Sequence, residues 1–169
     1  MSDILIRAAT EEDQDWINRQ VIKDWGAQIV VAQGKVYYPA KLNAFVAYDD
    51  QNNLGLLTYE SKESEIEIIT LNSFAEDIGV GTALINTLIK LAEDSKIKQI
   101  KVITTNDNLK ALALYQKRGF ALNAVYPGAV DLSRKHKNIP NIAENGIPIR
   151  DEIELICMVD HYIHTFDRT

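Results

Sequence analysis

The sequence predicts an α/β fold, with a mixed central sheet of about six to seven strands flanked by helices. Three observations lead there. Short runs alternate polar and apolar residues between turn signals, as half-buried strands do. Other stretches repeat apolar residues every three or four positions, as helices do when one face lies on a sheet. These patterns follow in the order strand, helix, three or so strands, helix, strand, helix, two strands, which winds helices against a sheet of mixed direction. With 169 residues, 46% of them hydrophobic, one core forms without staples, and a single domain over residues 1–169 is expected.

Ile4, Leu5 and Ile6 form a short first strand. Thr10 followed by Glu11, Glu12 and Asp13 is a helix start, a capping oxygen and then carboxylates on the positive end of the dipole, and the helix should reach about Asp24. From Trp25 to Leu42 the pattern is mixed: an apolar run at Ile29-Val30-Val31-Ala32, a turn at Gly34, and Tyr37-Tyr38-Pro39, which cannot be helix interior. Irregular chain with some strand is expected there. Asn43 to Tyr48 and Leu54 to Tyr59 flank the turn-rich Asp49-Asp50-Gln51-Asn52-Asn53 and form an antiparallel hairpin. Glu65-Ile66-Glu67-Ile68 alternates strictly before Ile69-Thr70-Leu71, a further strand that breaks at Asn72-Ser73.

From Val80 the residues Val80, Leu84, Leu88, Leu91 and Ala92 keep helical spacing, with Ile85 and Ile89 widening the stripe, to about Ser95. Ile100, Val102 and Ile103 form a strand. Asn108 to Lys117 is helical, with Ala111, Leu112, Leu114 and Tyr115 on its apolar side, and Gly119 ends it. Phe120 to Tyr126 and Ile153 to Val159 supply two closing strands. The long stretch between them, with Pro127, Gly128, Pro140, Gly146 and Pro148, reads as loop, and its length marks it as functional or lid-like rather than idle.

Net charge is -6, and the 18 lysines and arginines are spread without a block of like charge, so nucleic acid and anionic membranes meet no electrostatic footprint. Small molecules and cationic groups such as amines fit better. Met1 to Arg7 lacks a basic region before a long apolar stretch, and no run of about 18 apolar residues occurs, so a cytoplasmic protein is expected. Cys157, among Leu155, Ile156, Met158 and Val159, reads as strand interior rather than as a nucleophile. His161 and His164, with Asp160 and Asp167 nearby, lie at the terminus without a fixed geometry, and no metal site is expected. Oligomeric state is not set by these features, and a homodimer stays open.

Asn72 to Thr82 joins a strand to a helix, and Gly79 and Gly81 within it let the backbone approach an anion closely. Amides at a helix start, here those of Ile78, Gly79, Val80, Gly81 and Thr82, favour phosphate oxygens by hydrogen bonding and by the dipole. Alone, the glycine pair reads equally as a tight turn. A dinucleotide fingerprint is disfavoured because its third glycine position holds Leu84, and a Walker loop is excluded by the lack of Gly-Lys-Ser/Thr.

Glu76 to Gly81 resembles the acyl-CoA loop of the GNAT superfamily of N-acetyltransferases, Gln/Arg-x-x-Gly-x-Gly/Ala, with Glu76, Gly79 and Gly81 on its positions. Asn108 to Phe120 is similar to that family's Asn-x-x-Ala-x-x-Leu-Tyr-x-x-x-Gly-Phe, agreeing at Asn108, Ala111, Leu114, Tyr115, Gly119 and Phe120. The resemblance is firm from about Asn43 to Tyr126. It implies a GNAT-like acyltransferase fold and acetyl-CoA as co-substrate, with direct transfer of an acetyl group to an amine of a small molecule or peptide. It also implies cofactor contacts from Thr70, Leu71, Ile78, Gly79, Val80, Gly81, Thr82, Asn108 and Tyr115. N–H groups around Thr70 and Leu71 would polarise the acyl carbonyl where the strand splays from its neighbour, as the family's does. The departure is Glu76, which replaces Gln or Arg, with Asp77 after it and no Lys or Arg between Asn72 and Gly81. Each like-charge contact at ~7 Å costs roughly 0.6 kcal/mol in solvent, against about 1 kcal/mol from each amide bond, so the site should survive with weaker affinity.

An attacking amine of pKa ~10.4 is mostly ammonium at pH 7, so a base must take a proton, and the departing thiolate needs a proton or a hydrogen bond. Asn108 and Tyr115 lie about two turns apart on one helix face, and Tyr115 is the candidate general acid, its alternative a core aromatic. Glu65 and Glu67 share one strand face, on the strand that in GNAT proteins often carries the group handling the amine proton. Glu67, nearer the loop, is the first candidate base, with Glu65 and then Glu60 behind it; the alternative is solvated edge glutamates. Trp16, Trp25, Tyr37 and Tyr38 are candidates for an acceptor wall or for core. The acidic loop keeps a rival in play, a catalytically weak acyl-CoA-binding regulatory module.

Overall fold

Residues 3–166 are described by a computed structural model, the side chains of 163–166 aside. The first half of the chain runs β1 (Leu5–Ala8), α1 (Gln14–Trp25), β2 (Val30–Ala32), β3 (Lys35–Tyr37), β4 (Asn43–Tyr48), β5 (Asn53–Ser61) and β6 (Glu65–Ser73). The second half runs α2 (Val80–Asp94), β7 (Gln99–Thr105), α3 (Leu109–Lys117), β8 (Ala121–Tyr126), α4 (Val130–Arg134), β9 (Glu152–Met158) and α5 (Val159–Phe166). Seven strands form one mixed sheet in the order β1-β4-β5-β6-β7-β9-β8, in which only β6 and β7 pair in parallel; β2 and β3 form a separate hairpin.

Helices cover both faces because the strands alternate. Leu57 faces one core together with Val80, Leu84, Ile85, Leu88, Ile89 and Ala92 of α2, and Tyr115 of α3 joins that cluster. Leu56 turns the other way, onto Ile17 and Val21 of α1. Each buried Val, Leu or Ile on α2 contributes about 1.5–3 kcal/mol of transfer free energy, which holds the head of α2 against the sheet. Gly55 permits that approach. A Cβ there would lie 2.5 Å from Val80 Cγ1 and 2.8 Å from the Asn72 carbonyl oxygen, so any side chain pushes α2 off β5.

A bulge sets the site. Thr58 pairs with Thr70 but Tyr59 pairs with Ile68, leaving Ile69 as an extra residue in β6. The extra residue switches side-chain parity. Ile66 and Ile68 pack on the α2 side, where Leu71 also packs, while Glu67 meets Tyr37 of β3 and Asn72 meets Asp24 of α1 on the other side. The pairing of β6 with β7 ends at Ile68 and Val102, although β6 continues to Ser73 and β7 to Thr105. Beyond that point β7 stays with β9, through Thr105 and Glu152, and the sheet opens into a V.

Three elements differ from the expectations. β6 does not break at Asn72-Ser73, because both residues still pair with β5, and backbone pairing is indifferent to polar side chains. The first helix begins as a 3-10 turn at Glu11–Asp13, fastened where Thr10 N–H donates to Asp13 Oδ2 at 2.8 Å, and ends past Asp24 at Gly26, whose φ is 76°. The stretch after Pro127 holds the short helix α4, too brief for its periodicity to be legible, with Val130 and Ser133 buried. Cys157 is buried in β9, and that burial pushes its thiol up to about 12.

Candidate active site

The V between β6 and β7 opens into a cavity of about 630 Å³. One half is walled by Glu67 to Leu71, Val102 to Thr105, and Asn108, Ala111 and Tyr115 of α3. The other half is walled by Trp25, the β2 residues, Val130, Ser133, the segment 137–140, Ile149 and Glu152. Asn106 pins this second wall to the end of β7: its Oδ1 accepts from the amides of Arg150 and Asp151, at 3.1 and 2.9 Å.

Tyr115 is 4% exposed, its ring 5.2 Å from that of Phe120, and it lines the cavity. Its hydroxyl has no hydrogen-bond partner among the described residues, and burial pushes its pKa above the ordinary phenol value. At neutral pH it is therefore a protonated phenol with an uncommitted proton. Asn108 caps α3, its Oδ1 accepting from Ala111 N–H at 3.2 Å, so it stands at the helix head rather than inside it, while still facing the cavity.

Glu67 is 3% exposed. Tyr37 donates its phenol to Glu67 Oε2 at 3.2 Å, and the ammonium groups of Lys62 and Lys101 lie 3.6 and 4.0 Å away, so this buried carboxylate is bonded and paired. Burial, and then the charge of Glu67, push the Tyr37 phenol up and keep it a donor. Glu65 shares the face, accepting from Gln99 and pairing with Lys101 at 3.2 Å, but it does not reach the cavity wall. Glu60 pairs with Lys35 at 3.0 Å, also away from that wall. Of the four aromatics, Trp25 lines the cavity and Tyr37 buttresses Glu67, while Trp16 packs edge-on against Phe74 and Tyr38 is exposed.

Ile78 to Thr82 stand outside the cavity, at the head of α2. Asp77 (φ 60°) and Gly79 (φ 83°) are left-handed, which curls the chain so that Val80, Gly81 and Thr82 present amides with no intrahelical acceptor. Gly81 stacks against α3: a Cβ there would touch Leu114 Cδ2 at 3.4 Å. This bare row of amides beside a tunnel lined by Thr70, Leu71, Asn108 and Tyr115 fits a diphosphate followed by a long thin arm. The acidic departure also acquires a neighbour that linear order hides, because Lys110 in the first turn of α3 lies 3.8 Å from Glu76.

Sequence reasoning missed Glu152, 2% exposed in the cavity wall. Its Oε2 accepts from Gln33 N–H at the β2–β3 turn at 3.0 Å; burial raises its pKa, with the Gln33 and Ser133 hydrogen bonds opposing. The alternation Glu152-Ile153-Glu154 was the available signal. Among the described residues no group of three His, Cys, Asp or Glu side chains is placed to hold a metal, and no helix is long and apolar enough to cross a membrane. The side chain of His164 lies outside the described residues.

The acetyltransferase (GNAT) family model matches residues 3–120, and the chain belongs to this family of acetyltransferases, whose co-substrate is acetyl-CoA. It is 42% identical over 145 residues to the uncharacterized protein YxbD of Bacillus subtilis (strain 168), covering 85% of this chain and 91% of that one. A second relative from the same organism, the uncharacterized protein YdhI, is 40% identical over 140 residues, 82% of this chain and 88% of that one. Among solved structures, an IAA acetyltransferase from Bacillus cereus superposes with a TM-score of 0.69 at 20% identity, covering 92% of this chain and 99% of that one. A GNAT family acetyltransferase from Elizabethkingia anophelis with acetyl-CoA bound gives 0.66 at 20% identity, covering 94% and 99%. These structural likenesses show the fold: an α/β chain with its seven-stranded mixed sheet.

Proposed function

We propose that the chain, as one domain over residues 1–169, is an N-acetyltransferase that moves the acetyl group of acetyl-CoA directly to an amine held in the same cavity. Acetyl-CoA supplies the activated thioester. The amides at the head of α2 hold its diphosphate, and the β6 edge freed by the V, at Thr70 and Leu71, donates to the acyl oxygen. Glu67, directly or through one water, takes the proton that the ammonium must lose before nitrogen attacks the carbonyl carbon. The C–N bond forms, the C–S bond breaks, Tyr115 gives its proton to the departing sulfur, and the second proton that nitrogen sheds on becoming an amide restores the phenol through solvent.

One observation carries this reading: a protonated Tyr115 phenol, unpartnered among the described residues, and a buried Glu67 carboxylate line one cavity at the opening of the sheet. Direct transfer is favoured because the single cysteine, Cys157, is buried in β9 with a raised pKa. The rival binding module rested on the acidic loop, and Lys110 beside Glu76 offsets part of that charge. The test is release of CoA thiol from acetyl-CoA across a panel of amines, with the N-acetyl product identified by mass. Stabilisation by acetyl-CoA without thiol release from any amine would favour the binding module instead.

A further inference from the structure

Among the described residues, five ionisable side chains apart from Tyr115 line the cavity: Asp24, Glu67, Asp107, Glu152 and Lys137. Three of the four carboxylates already have donors. Asn72 donates to Asp24, Tyr37 to Glu67, and the Gln33 amide to Glu152. Asp107 keeps a buried Oδ1 without a partner among the described residues, but it stands at the head of α3, in the half assigned to the arm of CoA. Lys137 differs from all of these. Its Nζ donates to the Ile29 carbonyl at 3.3 Å and has no carboxylate within ion-pairing distance among the described residues.

A half-buried ammonium without a counter-charge is costly, and burial here lowers its pKa. The segment that carries it is well held. Arg134 donates to the carbonyls of Ile139, Pro140 and Ile149, at 3.4, 2.9 and 2.7 Å, which ties both ends of the wall together around Lys137. The same wall carries the apolar Trp25, Val31, Val130, Ile139 and Ile149, with Ser133 and Asn138 among them. Beside Lys137 the cavity therefore offers an ammonium with no ion-pair partner among the described residues, a partly apolar surface, and the carboxylates of Asp24 and Glu152, each already accepting a hydrogen bond from a neutral donor. An acceptor with its own anion would give that ammonium the counter-charge it lacks.

We propose that the acceptor is an amino acid with an apolar side chain, its carboxylate seated on Lys137 and its amine directed at Glu67. The proposal rests on the amine-acetyltransferase reading above. No covalent chemistry is added, since Lys137 only positions the acceptor.

The test compares leucine, methionine and phenylalanine with their decarboxylated amines and their amides, in the parent and in Lys137→Met and Lys137→Arg. The readouts are thiol release and calorimetric titration of the CoA complex. In the parent, kcat/KM should favour each amino acid over its amine and its amide by about tenfold or more, the scale of one charge-assisted contact. Lys137→Met should collapse that ratio toward one through KM, Lys137→Arg should keep part of it, and both should still be stabilised by acetyl-CoA. Amines or amides that serve as well as the amino acids in the parent would overturn the proposal. So would a Lys137→Met variant that loses activity equally on all three classes, or one that loses acetyl-CoA binding, since Lys137 would then serve the fold or the cofactor. If no compound is turned over while acetyl-CoA still binds, the transferase reading fails. The titration then decides separately: carboxylate-dependent binding lost in Lys137→Met upholds the seat, and its absence in the parent overturns it.

Discussion

Replacing Tyr115 by Phe removes one oxygen from a site where its two roles, acid and core aromatic, have opposite signatures. The hydroxyl has no partner among the described residues, so its loss breaks no hydrogen bond, and the ring stays 5.2 Å from Phe120. The hydroxyl opens onto the cavity, where water can serve it, so the variant should be about as stable as the parent. Catalysis should respond the other way. Without its proton donor the thiolate leaves less readily, and kcat should fall about 10²-fold, or about 2.7 kcal/mol of barrier, with acetyl-CoA affinity retained. Because burial raises the phenol's pKa, the acid form persists through the neutral range, and the parent should show no loss of activity from this group below about pH 10. Thiol release at saturating acetyl-CoA gives kcat, and thermal melting with and without ligand gives stability and binding. Unchanged kcat would remove Tyr115 from the mechanism, and a large fall in melting temperature would show that the hydroxyl has a structural bond after all.

Glu67→Gln keeps the shape but cannot accept a proton, so activity at pH 7 should drop roughly 10²-fold and recover toward the amine's own pKa near ~10; if Glu65→Gln shows the loss instead, the base lies two residues back. Gly81→Asp should abolish the melting shift caused by acetyl-CoA, because it puts a carboxylate among the α2 amides. Gly81→Ala, whose methyl group meets only Leu114 at 3.4 Å, should retain the shift; if both variants keep it, the phosphate cradle is wrongly placed. Asp13, whose hydrogen bonds from Arg7 lower its carboxyl from 3.8 to about 2, should stabilise the fold above about pH 4 and lose that contribution as the pH falls toward 2. Allowing for the solvent around Arg7, this amounts to about 1 kcal/mol, so urea midpoints of the parent and Asp13→Asn should differ at pH 6 and converge toward pH 2. A gap independent of pH would refute the linkage.

The amino-acid sequence by itself determined what depends on near neighbours. The stripe from Val80 to Ala92 and the alternation from Glu65 to Ile68 were legible because side-chain direction repeats with the backbone's own period. The glycine pair at the head of α2 and the run from Asn108 to Phe120 were legible for a similar reason, since each is a local device at one helix. Even the bulge left a trace, where Ile68-Ile69 interrupts the alternation. Tertiary structure alone decided which glutamate meets the cavity. Glu65 and Glu67 are equivalent in a strand two residues out of step, and only Tyr37 from another hairpin and the opening of β6 from β7 distinguish them. Lys110 beside Glu76 and Lys137 in the cavity wall were hidden likewise. Charges act through space over a few ångströms, and the chain separates by tens of residues what the fold brings to one wall.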